Sequence, residues 1–250
     1  MHKLKILLII MNLSFTAVVQ ADCLLKIRTA DFKPQFYKDS QNKWQGMSIE
    51  LAQAVLNEAG CRASYQQVTW KRALHLMKYG GLDMLLNVSI SKDRQKYLHF
   101  IGPLRDETMI LVAPKALADV TQFSDILSLP SKVGVLRGAF YGEEFAKQVR
   151  QSNDFAAKFE VANSTYVNVG KLKKNRISGF LNDKYNASYI IKSRLSEKDY
   201  KIHPLVINSG DVYIALSKKS VSEELKKRLQ VALNTVLENG TIDEILTKYE

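Results

Sequence analysis

The chain has 250 residues, 46% hydrophobic and 24% charged, with 12 Gly, 5 Pro and 2 Cys. That composition excludes disordered and collagen-like classes, and the length allows one or two domains whose core needs no metal or dense disulfide set. The net charge is a moderate +11, and the basic runs Lys171-Leu172-Lys173-Lys174 and Lys226-Lys227-Arg228 read as solvated helix faces without aromatic platforms, which argues against a nucleic-acid partner.

Residues 1–21 read as a secretory signal peptide cut after Ala21. His2, Lys3 and Lys5 give a positive start, residues 4–11 an apolar run, and Val19-Gln20-Ala21 a small-residue cleavage pattern. Asn12, Ser14 and Thr16 interrupt the apolar run, which is too short for a membrane anchor. Gln20-Ala21-Asp22 is not the small-residue lead that a lipoprotein places before its cysteine. The expectation is a soluble exported protein; cleavage removes two lysines and no acid, lowering the net charge from +11 to +9.

From there the chain repeats a β-rich run, a turn and an amphipathic helix. Residues 23–29 predict a strand. Residues 48–59 predict a helix with Leu51, Ala52, Val55, Leu56 and Ala59 on one face, Ser48 as N-cap and Gly60 as stop. Residues 62–68 predict a strand, 70–79 a helix ended by Gly80-Gly81, and 82–88 a buried strand. A second unit predicts strands at 132–136, 158–161 and 178–181, and helices at 141–151, 166–175 and 186–194. Residues 222–238 then form a helix, and Thr241-Ile242-Asp243-Glu244 reads as a capping box opening a last one. Alternating strands and helices imply an α/β fold, parallel sheets covered on both faces, here in two lobes separated at 108–114.

In open α/β sheets, ligands sit beyond the carboxyl ends of the strands, where loops and helix N-termini offer free N–H groups. That rule selects residues 30–36, 69–72, 89–94, 137–141, 163–166 and 182–185 as the lining of one cleft. Within them Ser91 reads as an N-cap with Arg94 in the first helical turn, and an arginine fork beside a hydroxyl and free N–H groups suits a carboxylate; a surface ion pair is the plainer alternative.

Cys23 and Cys61 each open a strand, and one βα crossover joins those strands. Parallel pairing sets the two starts side by side, so an exported protein is expected to form a disulfide there. His75, His99 and His203 lack metal-ligand spacing, and Gly138-Ala139-Phe140-Tyr141-Gly142 lacks the spacing and lysine of a phosphate loop. No metal, cofactor or catalytic nucleophile is expected.

With these residues in place the mature chain resembles the periplasmic solute-binding protein family 3, the polar-amino-acid receptors of ABC uptake systems. Gly46-Met47-Ser48-Ile49-Glu50-Leu51-Ala52 resembles the family's G-F-x-x-D-L-A helix start, and Gly81-Leu82-Asp83-Met84-Leu85 its G-x-x-D-A strand. Ser89-Ile90-Ser91-Lys92-Asp93-Arg94 resembles its S-x-T-x-x-R ligand motif, followed by Phe100 where an aromatic is usual. Asn239-Gly240-Thr241 and Lys248-Tyr249 resemble its closing D-G-T and K-K-Y.

The resemblance implies a type II two-lobed clamp of mostly parallel sheets, with lobe 1 at 22–107 plus 210–250 and lobe 2 at 108–209. It implies that Arg94 holds a ligand carboxylate with Ser89 and the loop at Gly138 and Phe140, that Asp183 takes the amine, and that Trp70 and Phe32 wall the pocket. Two departures stand out: Ala139-Phe140 follows Gly138 where the family offers G-[ST]-T, and Lys33 replaces a common aromatic. Lys33, Arg72, Arg94 and Arg137 at one cleft would favour a more anionic ligand than a simple amino acid. The implied protein is a periplasmic monomer that delivers its solute to an ABC permease. Two alternatives share the fold: a cyclohexadienyl dehydratase-like enzyme, for which Asp183 or Glu107 would be the acid, and a ligand-sensing partner of a membrane receptor.

Overall fold

The computed structural model describes residues 23–249; the expected signal peptide and its cleavage site lie outside the described residues. The chain opens with β1 (Leu24–Thr29), a small hairpin of β2 (Tyr37–Lys38) and β3 (Trp44–Gln45), α1 (Met47–Glu58), β4 (Arg62–Gln67), α2 (Trp70–Tyr79), β5 (Met84–Val88) and one-turn α3 (Lys92–Gln95). A 17-residue strand, β6 (Leu98–Pro114), leads to a 3-10 turn at Phe123–Ser128. Then come β7 (Val133–Leu136), α4 (Glu143–Gln151), α5 (Asn153–Ala157), β8 (Phe159–Ala162), α6 (Thr165–Lys173), β9 (Gly179–Asp183) and α7 (Lys184–Ser193). An 18-residue strand, β10 (Tyr200–Ser217), returns the chain to α8 (Glu223–Glu238) and α9 (Thr241–Thr247).

The strands run in the order β4-β1-β5-β10-β6-β9-β7-β8. β4, β1 and β5 are parallel at one end, β9, β7 and β8 at the other. Between them β6 and β10 pair antiparallel from Leu98↔Ser217 to Pro114↔Tyr200. The two parallel ends are the α/β units expected from the alternation of strands and helices. The chain was expected to cross between lobes near 107 and 210, but residues 108–114, expected as a separator, are part of strand β6, which contains Gly102-Pro103, and β10 contains His203-Pro204. Each strand absorbs its proline: the β10 register shifts between Ile202 and Val206, and again between Val212 and Ile214, opposite the Gly-Pro step of β6.

The core divides with the sheet. On one side Leu25, Ile27, Met47, Leu51, Val55, Leu229 and Leu233 are buried together, with Ala73, Met77 and Leu85 under α2. On the other, Leu111, Val133, Phe155 and Leu181 pack on one face of the sheet and Val112, Phe180, Ala187 and Ile190 on the opposite face. Each fully buried aliphatic side chain contributes roughly 1.5–3 kcal/mol relative to exposure, so both ends have cores of their own.

Local details differ from the sequence reading where a glycine decides. Gly46, at φ 115°, caps α1 instead of Ser48, whose buried hydroxyl accepts a hydrogen bond from Asn87. α4 starts at Glu143 after Gly142 (φ 93°), and Tyr141 is buried, its hydroxyl accepting from the Leu136 N–H. Gly240 precedes α9, where Asn239, not a capping box, accepts from Thr241. Cys23 and Cys61 form the expected disulfide, because the β1–β4 register pairs Leu24 with Arg62 and brings the preceding residues to 4.6 Å between Cα atoms.

Candidate functional site

The carboxyl ends of β1, β5, β7 and β9 converge on a cavity lined by residues from both ends of the sheet. Arg28, Phe32, Gln35, Phe36, Trp70, Asn87, Ser89, Arg94 and Glu107 come from one side, Met109, Ala139, Phe140, Tyr141, Asn182 and Asp183 from the other. Five of the six loops selected by the strand-end rule contribute. The sixth, 163–166, lines an adjoining groove shared with Arg28 and Trp70.

One end of the cavity is cationic. Ser91, in extended conformation, accepts from the Arg94 N–H and starts α3, which fixes the arginine at the base of the cleft. Arg94 is buried, and its guanidinium donates to the carbonyls of Ser89 (2.8 Å) and, across the cleft, Gly138 (3.2 Å). Its guanidinium carbon lies 5.6 Å from the Trp70 ring and 5.9 Å from Phe140. Trp70 donates its indole N–H to the same Gly138 carbonyl at 3.0 Å. Arg28 stacks on the other residues of this end, 5.3 Å from Trp70 and 5.7 Å from Phe36, and donates from Nε to the Val68 carbonyl. Among the described residues neither arginine has a carboxylate within ion-pair distance. Desolvation lowers the pKa of both, that of Arg28 to about 10, because each positive charge sits away from water without an anion.

The other end is acidic. Asp183 closes β9 and caps α7: its Oδ1 accepts from the Asn186 N–H (3.1 Å) and from Gln35 Nε2 (2.5 Å). Its Oδ2 is buried and accepts no hydrogen bond. Glu107, from the middle of β6, faces the same space. Arg105 stands behind both acids, 3.7 Å from Glu107 and 3.9 Å from Asp183, and is held by Asn87, which in turn bonds Ser48. Burial, then the neighbouring Asp183 charge, push the Glu107 pKa up to about 7, with Arg105 and Arg94 opposing. An anion-receiving end, an apolar wall and an unsatisfied carboxylate end match a small zwitterion.

Of the residues singled out in the sequence, Arg94, Ser89, Asp183, Trp70, Phe32 and Phe140 line the cavity. Gly138 contributes its carbonyl to Arg94 and Trp70. Arg72 is exposed on α2 and lies outside the cavity lining. Lys33 is stacked with Tyr37 and Tyr189, and exposed Arg137 bonds Asn163, so neither supplies the cationic end. Sequence reasoning passed over Arg28, Asn87 and Arg105, and took in Gln35 only as part of the 30–36 loop. Alternation in β1 places Arg28 on the same face as exposed Lys26, so only the approach of Phe36 and Trp70 distinguishes it.

Two α/β ends joined by a crossing strand pair around an inter-end cavity define the type II periplasmic-binding-protein fold, a two-lobed clamp for a small molecule. Residues 25–250 match the family model of bacterial extracellular solute-binding proteins, family 3, and the chain belongs to that family. It is similar to a probable histidine-binding protein of Neisseria gonorrhoeae, 24% identical over 88% of this chain and 80% of that protein. An ancestral arginine-binding protein bound to arginine superposes with a TM-score of 0.78 at 24% identity, covering 90% of this chain and 97% of the other. A histidine kinase sensor domain with similarity to periplasmic binding proteins also reaches 0.78, at 18% identity over 92% and 96% of the two chains. Among the described residues no helix is long and apolar enough to cross a membrane.

Proposed function

We propose that this solute-binding protein captures an α-amino acid between its lobes and hands it to an ABC permease, acting as a monomer in the periplasm after cleavage behind Ala21. The carrying observation is the polarity of the cavity: buried Arg94 without a carboxylate partner at one end, and the orphaned Oδ2 of Asp183 at the other. The α-carboxylate takes the Arg94 fork in place of the Gly138 carbonyl, and the ammonium takes Asp183 with Glu107. Trp70, Phe32 and Phe140 exclude water from the carbon skeleton. The division into 22–107 plus 210–250 and 108–209 is supported by the separate cores and by Glu107↔Gly210 pairing on the crossing strands. Relatives and structural neighbours described as amino-acid binders support the solute class.

A thermal-shift screen of the twenty amino acids tests this reading. Ligand at about 100 times its dissociation constant adds about 2.7 kcal/mol of stability, and a screen without a stabilising amino acid rejects it. One feature favours a dehydratase-like second reading: burial and the Asp183 charge raise the Glu107 pKa to about 7, where a carboxyl can give a proton to a leaving hydroxyl. The binding reading ranks first because an ammonium beside Glu107 stabilises its carboxylate and removes that proton. Turnover of prephenate or arogenate would reverse the ranking.

A further inference from the structure

The charges of the cavity do not balance, and the imbalance has a position. Four charged side chains of the described residues line it: Arg28, Arg94, Glu107 and Asp183. The two acids share Arg105 behind them. Among the described residues the two cavity arginines have only neutral acceptors, the carbonyls of Val68, Ser89 and Gly138, and aromatic faces. Three guanidinium groups therefore stand against two carboxylates, and the excess cation is on the Trp70 side. A neutral amino acid supplies one carboxylate for one arginine and leaves the other desolvated and unpaired, which is costly in a low-dielectric site. A cationic amino acid adds to the excess. A solute with one ammonium and two carboxylates cancels it.

Resting on the amino-acid reading above, we propose that Arg28 is a specificity-determining residue that receives a second carboxylate, so that the preferred solute is an acidic amino acid. Geometry permits this, since Arg28 and Arg94 both stand against the Trp70 ring, at 5.3 and 5.6 Å. All three residues line the one cavity, so a solute held there lies beside both arginines. The Arg28 fork is pre-aimed: Phe36 and Trp70 flank it and Val68 holds Nε, leaving the terminal nitrogens for a bidentate contact. This chain thereby differs in solute class from the histidine- and arginine-binding proteins it resembles.

Calorimetry with L-glutamate, L-aspartate, L-glutamine, L-asparagine, L-histidine, L-arginine and glutarate tests the proposal on the full mature protein and on Arg28→Gln and Arg28→Lys. The expected result is one acidic amino acid bound roughly 30-fold or more tighter than its amide, since a buried charge pair is lost with the amide. Arg28→Gln should bring acid and amide within about 3-fold of each other, while Arg28→Lys keeps the acid ahead. Thermal melts of both variants report folding separately. Equal binding of acid and amide, tighter binding of histidine or arginine, or an acid preference that survives Arg28→Gln would overturn it. Glutarate binding more tightly than glutamate, with the same Arg28 dependence, would uphold Arg28 as the acid receptor and reject the ammonium assignment at Asp183. Tight binding of a neutral or basic amino acid would do the reverse.

Discussion

Arg94 is the clearest case of a residue whose proposed role follows from what it lacks. Its guanidinium is buried among two carbonyls and two aromatic rings and lines the cavity. Arg94→Ala should weaken the cognate amino acid by roughly 2–5 kcal/mol, because a desolvated carboxylate loses its charged partner. Arg94→Lys should recover part of that, since an ammonium cannot reproduce the fork; unchanged affinity in calorimetry of both variants would move the anchor elsewhere. Glu107 makes a pH prediction. Its folded pKa, about 7, lies above the ordinary 4.5, so the native state holds a proton that the unfolded chain releases earlier. Its contribution to stability is fully present below about pH 4.5, is lost as pH rises toward about 7, and is level above that. Urea midpoints of the unliganded protein should decline across that window, and Glu107→Gln should flatten the decline. An equal decline in the variant would assign it to other groups. Bound ammonium reverses the preference, so amino-acid binding should release protons below neutral pH, readable as a buffer-dependent enthalpy.

At the scale of elements, the turn between the first loop and α1 couples stability to the site. Gly46 sits at φ 115°, and a Cβ there would stand 2.5 Å from the Pro34 carbonyl and 2.6 Å from that of Gln35. Those carbonyls accept from the Met47 and Ser48 N–H groups, so the start of α1 holds the loop that aims Gln35 at Asp183. Gly46→Ala should cost about 1–3 kcal/mol through strain and weaken the ligand as well, measured by denaturant titration and calorimetry. A variant of native stability with weakened binding, or the converse, would uncouple the two.

For the whole molecule, the contacts that cross the cleft mark a closed clamp: Trp70 and Arg94 to Gly138, Gln35 to Asp183, Asn186 to the Lys33 carbonyl, and Tyr166 to Asp31. Each joins residues carried by opposite ends of the sheet, and among the described residues only β6 and β10 cross between those ends as paired strands. Closure about Glu107 and Gly210 is the motion that this connectivity allows. Saturating ligand should shrink the radius of gyration in X-ray scattering. An unchanged curve with a tight ligand would mean that the cavity is already closed in solution or that the solute binds one side alone.

Periodicity and capping were enough to determine the local and the repeated. Helix α2 falls at the expected 70–79, because Thr69 precedes it in extended conformation and Gly80 ends it in the left-handed region. Parallel β1–β4 pairing and the Cys23–Cys61 bridge follow from a single crossover. Arg94 was legible because Ser91 caps α3 from three residues away, and Asp183 because its family resemblance lies on a strand end. What needed the tertiary structure is everything set by segments distant in the chain. The crossing strands are one example: residues 108–114 read as a separator between lobes, and only pairing with β10, whose register shifts opposite Gly102-Pro103, makes them part of a strand. The raised pKa of Glu107 is another, arising from burial and from Asp183, which stands 76 positions further along the chain. Arg28 is the third: β1 alone presents it as a solvent-facing residue, and it becomes a half-buried cation only where Phe36 and Trp70 flank it, because burial and electrostatics belong to neighbours in space and not in sequence.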